Sequence, residues 1–307
     1  MLITGGAGFI GSHTVEALIA DGAAIRVLDD FSSGREANLP LDRQLTVVKG
    51  DIRDPEAVRE AMEGVTHVLH LAAQVSVQRS VDDPLTSAST NIYGFLNVLD
   101  AARIAGVQRF VYGSGAAVYG VPQDLPLEES SSPLRPVSPF GLDKLVNEQY
   151  ADLYTRLYGV PCLGLRYFNV YGTRQDPDSP YSGVVSVFLG RIATGAPVQL
   201  FGDGEQSRDF VYVGDVAYAN MKALHSEAVG VVNVASDRSV TLLELIASIQ
   251  AASGMPAEIL QEDKRPGDIR YSRGSVERMQ RWLGPMTLTS IEDGLRRLWE
   301  ARNGGAA

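Results

Sequence analysis

Three glycines near the start of the chain have the spacing of a dinucleotide-binding loop. Gly5, Gly8 and Gly11 follow a short apolar run and open a helical pattern. Such a loop allows a tight turn, close backbone approach to a pyrophosphate and close packing of helix on strand. The free N–H groups at the helix start attract the pyrophosphate. Asp29 ends the next apolar run, where a carboxylate binds an adenosine ribose and repels a 2′-phosphate, so the pattern predicts NAD.

Two later segments agree with this prediction. Asp51 follows the third apolar run, where an acidic side chain would meet the adenine amino group. The segment 71–74 follows the fourth run and has small residues where a cofactor backbone would lie close. A phosphate-binding P-loop is excluded, because the Lys that it requires is missing between Gly11 and Ser12.

The elements that must position these residues alternate between strands and helices. Strands are predicted at 2–4, 25–29, 45–48, 65–71, 109–112 and 162–167, and helices at 12–20, 55–62, 92–105 and 142–158. This alternation predicts an α/β fold with a Rossmann-type doubly wound parallel sheet. Further strands are expected at 210–213 and 231–234, and helices at 241–252 and 290–302. We predict an NAD-binding domain of residues 1–168 plus about 210–235 and a smaller C-terminal substrate-binding domain of residues 169–209 and 236–307.

Composition excludes several classes of protein. The 307 residues carry 27 Lys and Arg against 37 Asp and Glu, a net charge of −10, which argues against nucleic acid and against an anionic membrane surface as partners. A single cysteine, Cys162, rules out an intrachain disulfide, fits a reducing compartment and is expected to be a small buried apolar residue. The sequence has no signal peptide and no long apolar run, so we expect a cytoplasmic protein.

The histidines give no metal site. His67 and His70 lie three residues apart on a predicted strand and therefore face opposite sides of it. His13 and His225 have no Cys or carboxylate cluster at ligand spacing. We therefore expect no metal.

A series of motifs in fixed order resembles the extended short-chain dehydrogenase/reductase family, and within it the UDP-sugar 4-epimerases, especially those acting on UDP-N-acetylglucosamine. The motifs are Thr4–Gly11, Leu28–Phe31, Gly50–Asp54, Leu71–Ala73, Asn91–Gly94, Ala117–Gly120, Ser138–Lys144, Arg166–Gly172, Arg208–Phe210 and Arg265–Asp268. The resemblance implies bound NAD, a UDP-sugar between the two domains, and inversion at C4 through a transient 4-keto sugar.

The resemblance also implies site residues. Cofactor contacts fall on Gly5, Gly8, Phe9, Ile10, Gly11, Asp29, Asp30, Ser32, Ser33, Gly34, Asp51, Ile52, Leu71, Ala72, Ala73, Gln74, Asn91, Lys144 and Tyr167. Substrate contacts fall on Ser76, Ser114, Asn169, Gln199, Phe201, Arg208, Arg265, Asp268 and Ser272. Arg208 and Arg265 would clamp the UDP pyrophosphate, because a guanidinium forms bidentate bonds with phosphate oxygens.

The catalytic pattern of the family is broken here. It requires Tyr-x-x-x-Lys and a Ser or Thr about 25 residues earlier. This chain keeps Lys144 but has Phe140 at the Tyr position and Gly115 at the Ser position. Ser114 would substitute only if the strand end shifted, because its side chain is expected on the opposite face. The chain is therefore expected to be inactive or severely impaired.

Three explanations remain open. We favour a deliberately disabled variant of an active enzyme, because shape is kept at Phe140. The second is a naturally inactive, nucleotide-sugar-binding relative. The third is displaced chemistry, for which Tyr218 and Lys222 have the right spacing but lie outside the family's catalytic helix.

The substrate class depends on one small residue. In the family a bulky Tyr at the position of Ser272 blocks an N-acetyl group, so Ser272 predicts UDP-N-acetylglucosamine and UDP-N-acetylgalactosamine, with UDP-glucose and UDP-galactose as further substrates. The alternatives are a Ser that faces solvent and an epimerase confined to UDP-glucose and UDP-galactose. Ala116 and Ala117 stand where related 4,6-dehydratases have Asp and Glu, which disfavours dehydration. The helices at 92–105 and 142–158 resemble those that pair in the family's homodimer.

Overall fold

The computed structural model describes residues 1–175, 183–264 and 269–304. The strands are β1 (Leu2–Thr4), β2 (Ile25–Asp29), β3 (Leu45–Lys49), β4 (His67–His70), β5 (Arg109–Gly115), β6 (Cys162–Tyr167), β7 (Asn169–Tyr171), β8 (Val198–Phe201), β9 (Ser207–Arg208), β10 (Phe210–Tyr212), β11 (Gly230–Val234), β12 (Val240–Thr241) and β13 (Ile259–Glu262). The α-helices are α1 (Phe9–Ala20), α2 (Pro55–Met62), α3 (Val77–Asp82), α4 (Pro84–Ala88), α5 (Phe95–Ala105), α6 (Pro139–Tyr158), α7 (Val184–Ala193), α8 (Val213–His225), α9 (Leu242–Ser253), α10 (Glu277–Leu283) and α11 (Ile291–Asn303).

Seven parallel strands form the central sheet, in the order β11-β6-β5-β4-β1-β2-β3. The order reverses at β1, which lies between β2 and β4. In a doubly wound sheet, ligands bind beyond the carboxyl ends of the strands at such a reversal. The predicted Rossmann-type fold is confirmed.

Helices cover both faces of this sheet. On one face, Val15 and Leu18 of α1 and Val216 of α8 belong to one buried cluster. On the other, a second cluster includes Leu99 of α5 and Ala151 of α6. Because both faces are buried, the strands consist largely of apolar residues rather than alternating with polar ones.

The C-terminal part builds a third apolar core. Phe188 of α7, Leu245 of α9 and Leu295 of α11 are buried together there. Two residues of the predicted C-terminal domain lie elsewhere, because Met279 and Leu283 of α10 pack into the core of the central sheet. Both parts of the chain therefore contribute to that core, and the proposed domain boundary stays a prediction.

Several element boundaries differ from the sequence prediction. The first helix begins at Phe9 rather than at residue 12, because Gly8 has the extended backbone of an N-cap. The helix expected from residue 142 begins at Pro139, since the Ser138 hydroxyl accepts a hydrogen bond from the backbone N–H of Gly141. The helix expected from residue 92 starts as a π-helical turn at Ser89–Gly94. Some elements are not among those predicted from the sequence, because each is short or adjoins loop-like segments; they are α3, α4, α7, α10, β7, β8, β9, β12 and β13.

The buried histidine of β4 has a strongly lowered pKa. His70 is 3 % exposed, and its Nδ1 lies 2.9 Å from Oγ1 of Thr4. Its ring packs against Phe95 and Phe110 at centroid distances of 5.4 and 6.3 Å. Burial, with the nearby Lys144 charge, lowers the pKa of His70 to about 3. The ring is therefore neutral in the folded protein at neutral pH.

We expect His70 to make the folded protein sensitive to acid. Between pH 6.5 and about 3 the unfolded chain binds a proton at His70 that the folded chain excludes. The stabilisation is therefore complete above pH 6.5 and is lost as the pH falls, by up to about 1.4 kcal/mol per pH unit. Urea unfolding of His70→Gln between pH 7 and 4 should show a flatter dependence than the parent chain. His225→Gln, at a half-exposed side chain, is the control, and an equal slope in the parent and His70→Gln would contradict the assignment.

Candidate active site

The glycine loop between β1 and α1 leaves no room for side chains on its inner side. Gly5 has a φ of +70°, and a Cβ there would lie 2.7 Å from the backbone N of Ala72. A Cβ at Gly11 would lie 2.2 Å from the carbonyl oxygen of Gly5. Phe9 and Ile10 open α1 directly after the loop. This geometry fits a loop whose backbone amides face a pyrophosphate.

Asp29 lies against this loop at the carboxyl end of β2. Its carboxylate accepts hydrogen bonds from the backbone N–H groups of Ala7 and Phe31, each at 2.9 Å, and burial raises its pKa. Asp30 accepts from the N–H and hydroxyl of Ser32 at 2.9 and 2.6 Å. A cavity of about 350 Å³ opens beside them, lined by Phe31, Gly34, Glu36, Val47 and Lys49. The carboxylate is thus held where the ribose of a dinucleotide would lie.

Asp51 is paired within the protein. Arg53 donates from Nε to both carboxylate oxygens of Asp51, at 3.0 and 2.9 Å, and these bonds lower the pKa of Asp51. An adenine amino group would therefore compete with Arg53 for this carboxylate. The neighbouring Ile52 is buried and packs where a Cβ on Gly94 would lie, 2.6 Å from its Cδ1.

The loop after β4 is held by a buried amide. Asn91 accepts from the backbone N–H of Gln74 at 2.8 Å and donates to the carbonyl of Gln74 at 3.0 Å. Asn91 is 2 % exposed and lies in the π-helical turn, a feature frequent at functional sites. Both ends of the Asn91 amide thus position segment 71–74, and the cofactor contact of Asn91 stays a prediction.

Asp143 and Asn147 of α6 extend this network. Asp143, 4 % exposed, accepts from the Ser87 hydroxyl at 2.7 Å and from Nδ2 of Asn91 at 3.2 Å. Asn147 donates to the backbone carbonyl of Asn91 at 2.9 Å. Sequence reasoning missed both residues. The available signal was the spacing: Asp143 and Asn147 are polar and four residues apart, so they share one face of the helix, next to Lys144.

Lys144 reaches the carboxyl end of β5 from α6. Its Nζ donates to the carbonyl of Gly113 at 2.9 Å and lies 5.7 Å from the centroid of the Phe140 ring. The side chain is 7 % exposed. Burial lowers the pKa of Lys144 to about 8, although the charges of Asp143 and Glu148 act in the opposite direction. Because the Lys144 ammonium is poorly hydrated, it strongly stabilises the anionic form of an acidic group next to it.

Phe140 and Gly115 lie at the same end of the site, and Gly115 leaves space for a side chain. The half-buried Phe140 donates its backbone N–H to the Ser80 hydroxyl at 3.1 Å. Gly115 has an extended backbone, with a φ of −164°, which any residue adopts. A Cβ there would meet only the carbonyl oxygen of Tyr167, at 3.7 Å. A small side chain therefore fits at residue 115 without strain.

The Tyr167 hydroxyl is used within the protein. It donates to Oδ1 of Asn220 at 2.7 Å, and Asn220 donates to the Thr14 hydroxyl at 2.9 Å. Burial raises the pKa of Tyr167. Only the ring and backbone of Tyr167 are left for the predicted cofactor contact.

Glu148 of α6 and Arg166 of β6 form a buried ion pair next to Ser114, the residue before Gly115. The Ser114 hydroxyl donates to Glu148 at 2.6 Å, and Arg166 donates to both oxygens of Glu148, at 2.9 and 2.6 Å. Arg166 also donates to the Tyr119 hydroxyl at 2.8 Å, and that hydroxyl donates to Asn233 at 2.7 Å. Burial opposes the Arg166 charge, but the bonds and charge of Glu148 outweigh it and raise the pKa of Arg166.

The substrate contact of Ser114 stays a prediction, and this network gives the Ser114 side chain a partner within the protein. Its hydroxyl is bound to Glu148 on the α6 side, and Ser114 is 5 % exposed, so it does not replace a hydroxyl at residue 115. The expectation that it faces the opposite side is confirmed. A charged Arg166 inside an otherwise apolar strand was the sequence signal for a buried partner.

The predicted substrate residues lie on several elements of the C-terminal part. Arg208 lies on β9, Asn169 on β7, and Gln199 and Phe201 on β8. The backbone N–H of Asn169 donates to the carbonyl of Asp209 at 2.9 Å, which ties β7 to the segment carrying Arg208. Ser76 is the N-cap of α3. Arg265 and Asp268 lie outside the described residues.

Ser272 is buried. It is 8 % exposed, so the alternative of a serine that faces solvent is wrong. The adjoining segment is held by Leu127, whose N–H donates to the carbonyl of Arg273 at 2.8 Å. Ser272 is therefore a buried residue beside the segment that pairs with Leu127.

Four further findings concern parts of the chain outside the site. Cys162 is confirmed as a buried side chain, 2 % exposed, and burial raises its pKa to about 11. Tyr218 is 40 % exposed on α8, with Nζ of Lys222 5.5 Å from its ring centroid. Among the described residues no group of three or more His, Cys, Asp or Glu could hold a metal ion. In the same residues no helix is long and apolar enough to span a membrane.

The residues present fit a bound dinucleotide. The crowded glycine loop, Asp29 held against it and the segment 71–74 form one continuous edge across β2, β1 and β4. Lys144 and Gly115 continue that edge at β5. The arrangement provides a pyrophosphate cradle at one end and a buried cation beside an unfilled space at the other. It is suited to a cofactor and a second ligand in contact.

Comparison with known proteins gives consistent results. The model of the NAD dependent epimerase/dehydratase family matches residues 1–235. The chain is 39% identical over 305 residues to the UDP-glucose 4-epimerase of Mycolicibacterium smegmatis, covering 97% of each chain. A solved structure of UDP-N-acetylglucosamine 4-epimerase from Methanobrevibacter ruminantium, in complex with UDP-N-acetylmuramic acid, is 35% identical with a TM-score of 0.94 and covers 99% of this chain and 98% of that chain. The Thermus thermophilus UDP-glucose 4-epimerase in complex with NAD is 38% identical with a TM-score of 0.92, covering 99% of both chains.

Proposed function

Because the chain belongs to the NAD-dependent epimerase/dehydratase family, we propose that it binds a UDP-N-acetylhexosamine beside its NAD and that its fold serves inversion at C4 of the sugar. The observation that carries the proposal is buried Lys144 beside residues 140 and 115, at the carboxyl end of the strand next to the cofactor edge. The relatives reported above act on UDP-glucose or UDP-N-acetylglucosamine by name, which supports a UDP-sugar as the ligand.

The residues of this chain would bind NAD, but they supply no group that accepts the proton of the sugar hydroxyl at C4. The amides of the glycine loop would hold the pyrophosphate of NAD, and Asp29 its adenosine ribose. NAD, when bound, supplies reversible hydride transfer. Lys144 holds a positive charge in a buried place, where it would stabilise a phenolate at residue 140. Phe140 has no hydroxyl, so the sugar hydroxyl at C4 lacks a proton acceptor.

We therefore propose that the chain binds its ligands but turns them over slowly or not at all. Titration calorimetry of the NAD-loaded chain with UDP-N-acetylglucosamine should show binding, while the same sample should not interconvert the two C4 epimers at a comparable enzyme concentration. Binding together with efficient turnover would indicate displaced chemistry. A chain that binds neither UDP nor UDP-sugars would contradict the proposal as a whole.

Dehydration is the less favoured reaction for this site. Ala116 and Ala117 lie in the 3₁₀ turn Ala116–Tyr119, directly after β5. Elimination across C5 and C6 needs an acid and a base, and neither alanine supplies one. A chain that releases a 4-keto-6-deoxy product once residues 115 and 140 carry hydroxyls would favour dehydration instead.

Replacing Ser272 by Tyr should change substrate preference. We propose that Ser272 leaves room for an N-acetyl group, so Ser272→Tyr should weaken binding of UDP-N-acetylglucosamine by about ten-fold or more and leave UDP-glucose within a factor of about three. Ser272→Ala is the matched control, because it stays small and should bind both ligands like the parent. Equal effects of Ser272→Tyr on both ligands would contradict this role of Ser272, and a parent chain that binds UDP-glucose but not UDP-N-acetylglucosamine would favour the narrower UDP-glucose and UDP-galactose specificity.

We also propose a homodimer formed through α5 and α6. These helices contact each other, and their outer faces expose large apolar side chains, among them Ile104 (72 % exposed), Leu142 (51 %) and Leu157 (61 %). Tyr154 and Tyr158 add an aromatic pair with ring centroids 4.9 Å apart. We take these exposed apolar side chains on two packed helices as the association surface.

Light scattering after size exclusion should report a dimer for the parent chain. A charge at the patch should dissociate it, because an unpaired charge at an apolar interface is costly. Leu157→Glu should therefore elute as a monomer. Leu41→Glu places the same charge on a fully exposed leucine outside α5 and α6 and should stay dimeric. A parent chain that is monomeric at micromolar concentration would refute the dimer.

A further inference from the structure

A fully buried carboxylate lies next to Arg208 and belongs to none of the groups discussed above. Asp209 follows β9 directly and is 0 % exposed. Its Oδ1 accepts hydrogen bonds from the N–H and the hydroxyl of Ser236, both at 2.7 Å. Its Oδ2 accepts from the N–H groups of Asp237 and Gly274, both at 3.1 Å. Four donors therefore converge on one side chain.

These donors come from two separate parts of the chain. Ser236 and Asp237 follow β11, the strand at one edge of the central sheet. Gly274 lies two residues after Ser272. Through Asp209, the segment that carries Ser272 is thus bound both to the sheet edge and to the strand that carries Arg208.

The packing around residue 274 depends on this link. A Cβ on Gly274 would lie 2.5 Å from the Phe168 ring and 2.8 Å from Cβ of Ala235, so the backbone passes close beneath both. On its other side the segment pairs with Leu127, which accepts from the N–H of Ser275 at 2.9 Å. At its start, Arg270 accepts from the N–H of Ser207 at 2.9 Å. The segment is thus held by backbone hydrogen bonds at both ends, and between them the N–H of Gly274 donates to the carboxylate of Asp209.

We propose that Asp209 is a positioning residue for the sugar-nucleotide side of the site, setting the place of Ser272 relative to Arg208 and to the central sheet. The expected effect on UDP-sugar binding rests on the proposed function, whereas the hydrogen bonds of Asp209 do not depend on it. Asp209 has no exposed surface with which to touch a ligand. It acts through its hydrogen bond to the backbone of Gly274, two residues after Ser272.

The charge of Asp209 is balanced by dipoles rather than by a close cation. Among the described residues no Lys or Arg forms an ion pair with it. The segments around it carry charged residues, and of these Asp237 and Arg273 face each other at 3.7 Å while Arg270 pairs with Asp203. The others are Arg208 and Arg238. Burial raises the pKa of Asp209 to about 6, although its hydrogen bonds act in the opposite direction. A protonated Asp209 would lose acceptor capacity for these donors, so the link should weaken below about pH 6.

Asp215 provides a matched control. It is a partly buried carboxylate on α8 that accepts from the N–H and hydroxyl of Thr289 at 2.7 and 3.0 Å. Burial raises its pKa as well. Asp215→Asn therefore perturbs a similar carboxylate link that does not involve the segment of Ser272.

The first test measures position without any sugar ligand. Hydrogen exchange followed by mass spectrometry on the NAD-loaded chain should show faster exchange at residues 236–237 and 272–275 in Asp209→Asn, and not in Asp215→Asn. Unchanged exchange in those peptides would overturn the proposal. Should Asp209→Asn fail to fold, Ser236→Ala removes one donor and should show a smaller change in the same peptides.

The second test measures the consequence. Asp209→Asn should bind UDP-N-acetylglucosamine about ten-fold more weakly, the equivalent of about one hydrogen bond, with NAD affinity unchanged. The parent's affinity should fall below about pH 6, and that of Asp209→Asn should not. Equal losses of NAD and UDP-sugar binding in both Asn variants would show a merely structural role and overturn the proposal. If the parent binds no UDP-sugar while the exchange difference is present, the proposed function fails and the positioning role of Asp209 stands.

Discussion

Replacing Phe140 by Tyr and Gly115 by Ser in one chain should raise the rate of interconversion of UDP-N-acetylglucosamine and UDP-N-acetylgalactosamine by about 10²–10⁴. The Tyr hydroxyl supplies the missing proton acceptor, and buried Lys144 favours its anionic form. The structure has room for both side chains. The ring of residue 140 is already in place, and a Cβ at residue 115 meets only one carbonyl oxygen, at 3.7 Å.

The two replacements should not contribute equally. Groups that act on one oxygen are strongly non-additive, so Phe140→Tyr alone should recover most of the rate and Gly115→Ser alone little. A coupled assay of both epimers with the NAD-loaded chain measures this. The expected order is parent, Gly115→Ser, Phe140→Tyr and then the double variant.

Two further variants control the result. Lys144→Met in the double variant should remove most of the recovered rate, because the hydroxyl loses its cation. Tyr218→Phe should change nothing, since Tyr218 lies exposed on α8. A double variant that folds, binds NAD and UDP-sugar, and still does not turn over would sink the epimerase proposal.

Removing the charge of Glu148 should cost about 3–5 kcal/mol of the free energy of unfolding, because Arg166 would keep a buried charge without its partner. The side chains of this pair are 2% and 6% exposed and meet at 2.6 Å. Glu148→Met keeps similar volume while leaving the guanidinium unpaired, and it also removes the acceptor of the Ser114 hydroxyl. Urea unfolding gives the comparison directly.

The control for this prediction is an exposed pair on the same helix. Asp152 and Arg156 are 64% and 63% exposed and meet at 3.0 Å, and Asp152→Ala should cost less than about 1 kcal/mol. Combining Glu148→Met with Arg166→Met should recover much of the lost stability, since an apolar pair replaces the ionic one. A cost of Glu148→Met no larger than that of Asp152→Ala would contradict the buried ion pair.

Local patterns predicted the dinucleotide edge well. Gly5, Gly11 and Asp29 lie where their spacing placed them, because a tight turn, a helix start and a strand end are set by residues close in sequence. The parallel sheet with helices on both faces followed from the alternation of strands and helices. Departures include element ends, such as the start of α6, where Ser138 and Pro139 form the cap, and the unpredicted helices α3 and α4 beside the sheet.

Long-range contacts were beyond such patterns. Asn91 holds segment 71–74 and Asp209 holds segment 272–275, each across many residues of chain. An asparagine or aspartate has the same local signature whether it binds a ligand, caps a turn or clamps a distant backbone. Only its partners decide between these roles, and those partners meet through packing.

The sequence by itself determined the fold class, the glycine loop and Asp29, because each is read from residue type and short spacing. The family resemblance of the sequence pointed to Lys144 and to the positions of Gly115 and Phe140. The tertiary structure alone decided that Ser114 serves Glu148, that Ser272 is buried and that a side chain fits at residue 115. Burial, free space and hydrogen-bond partners depend on segments that are far apart in the chain and adjacent only once the sheet and its cover have formed.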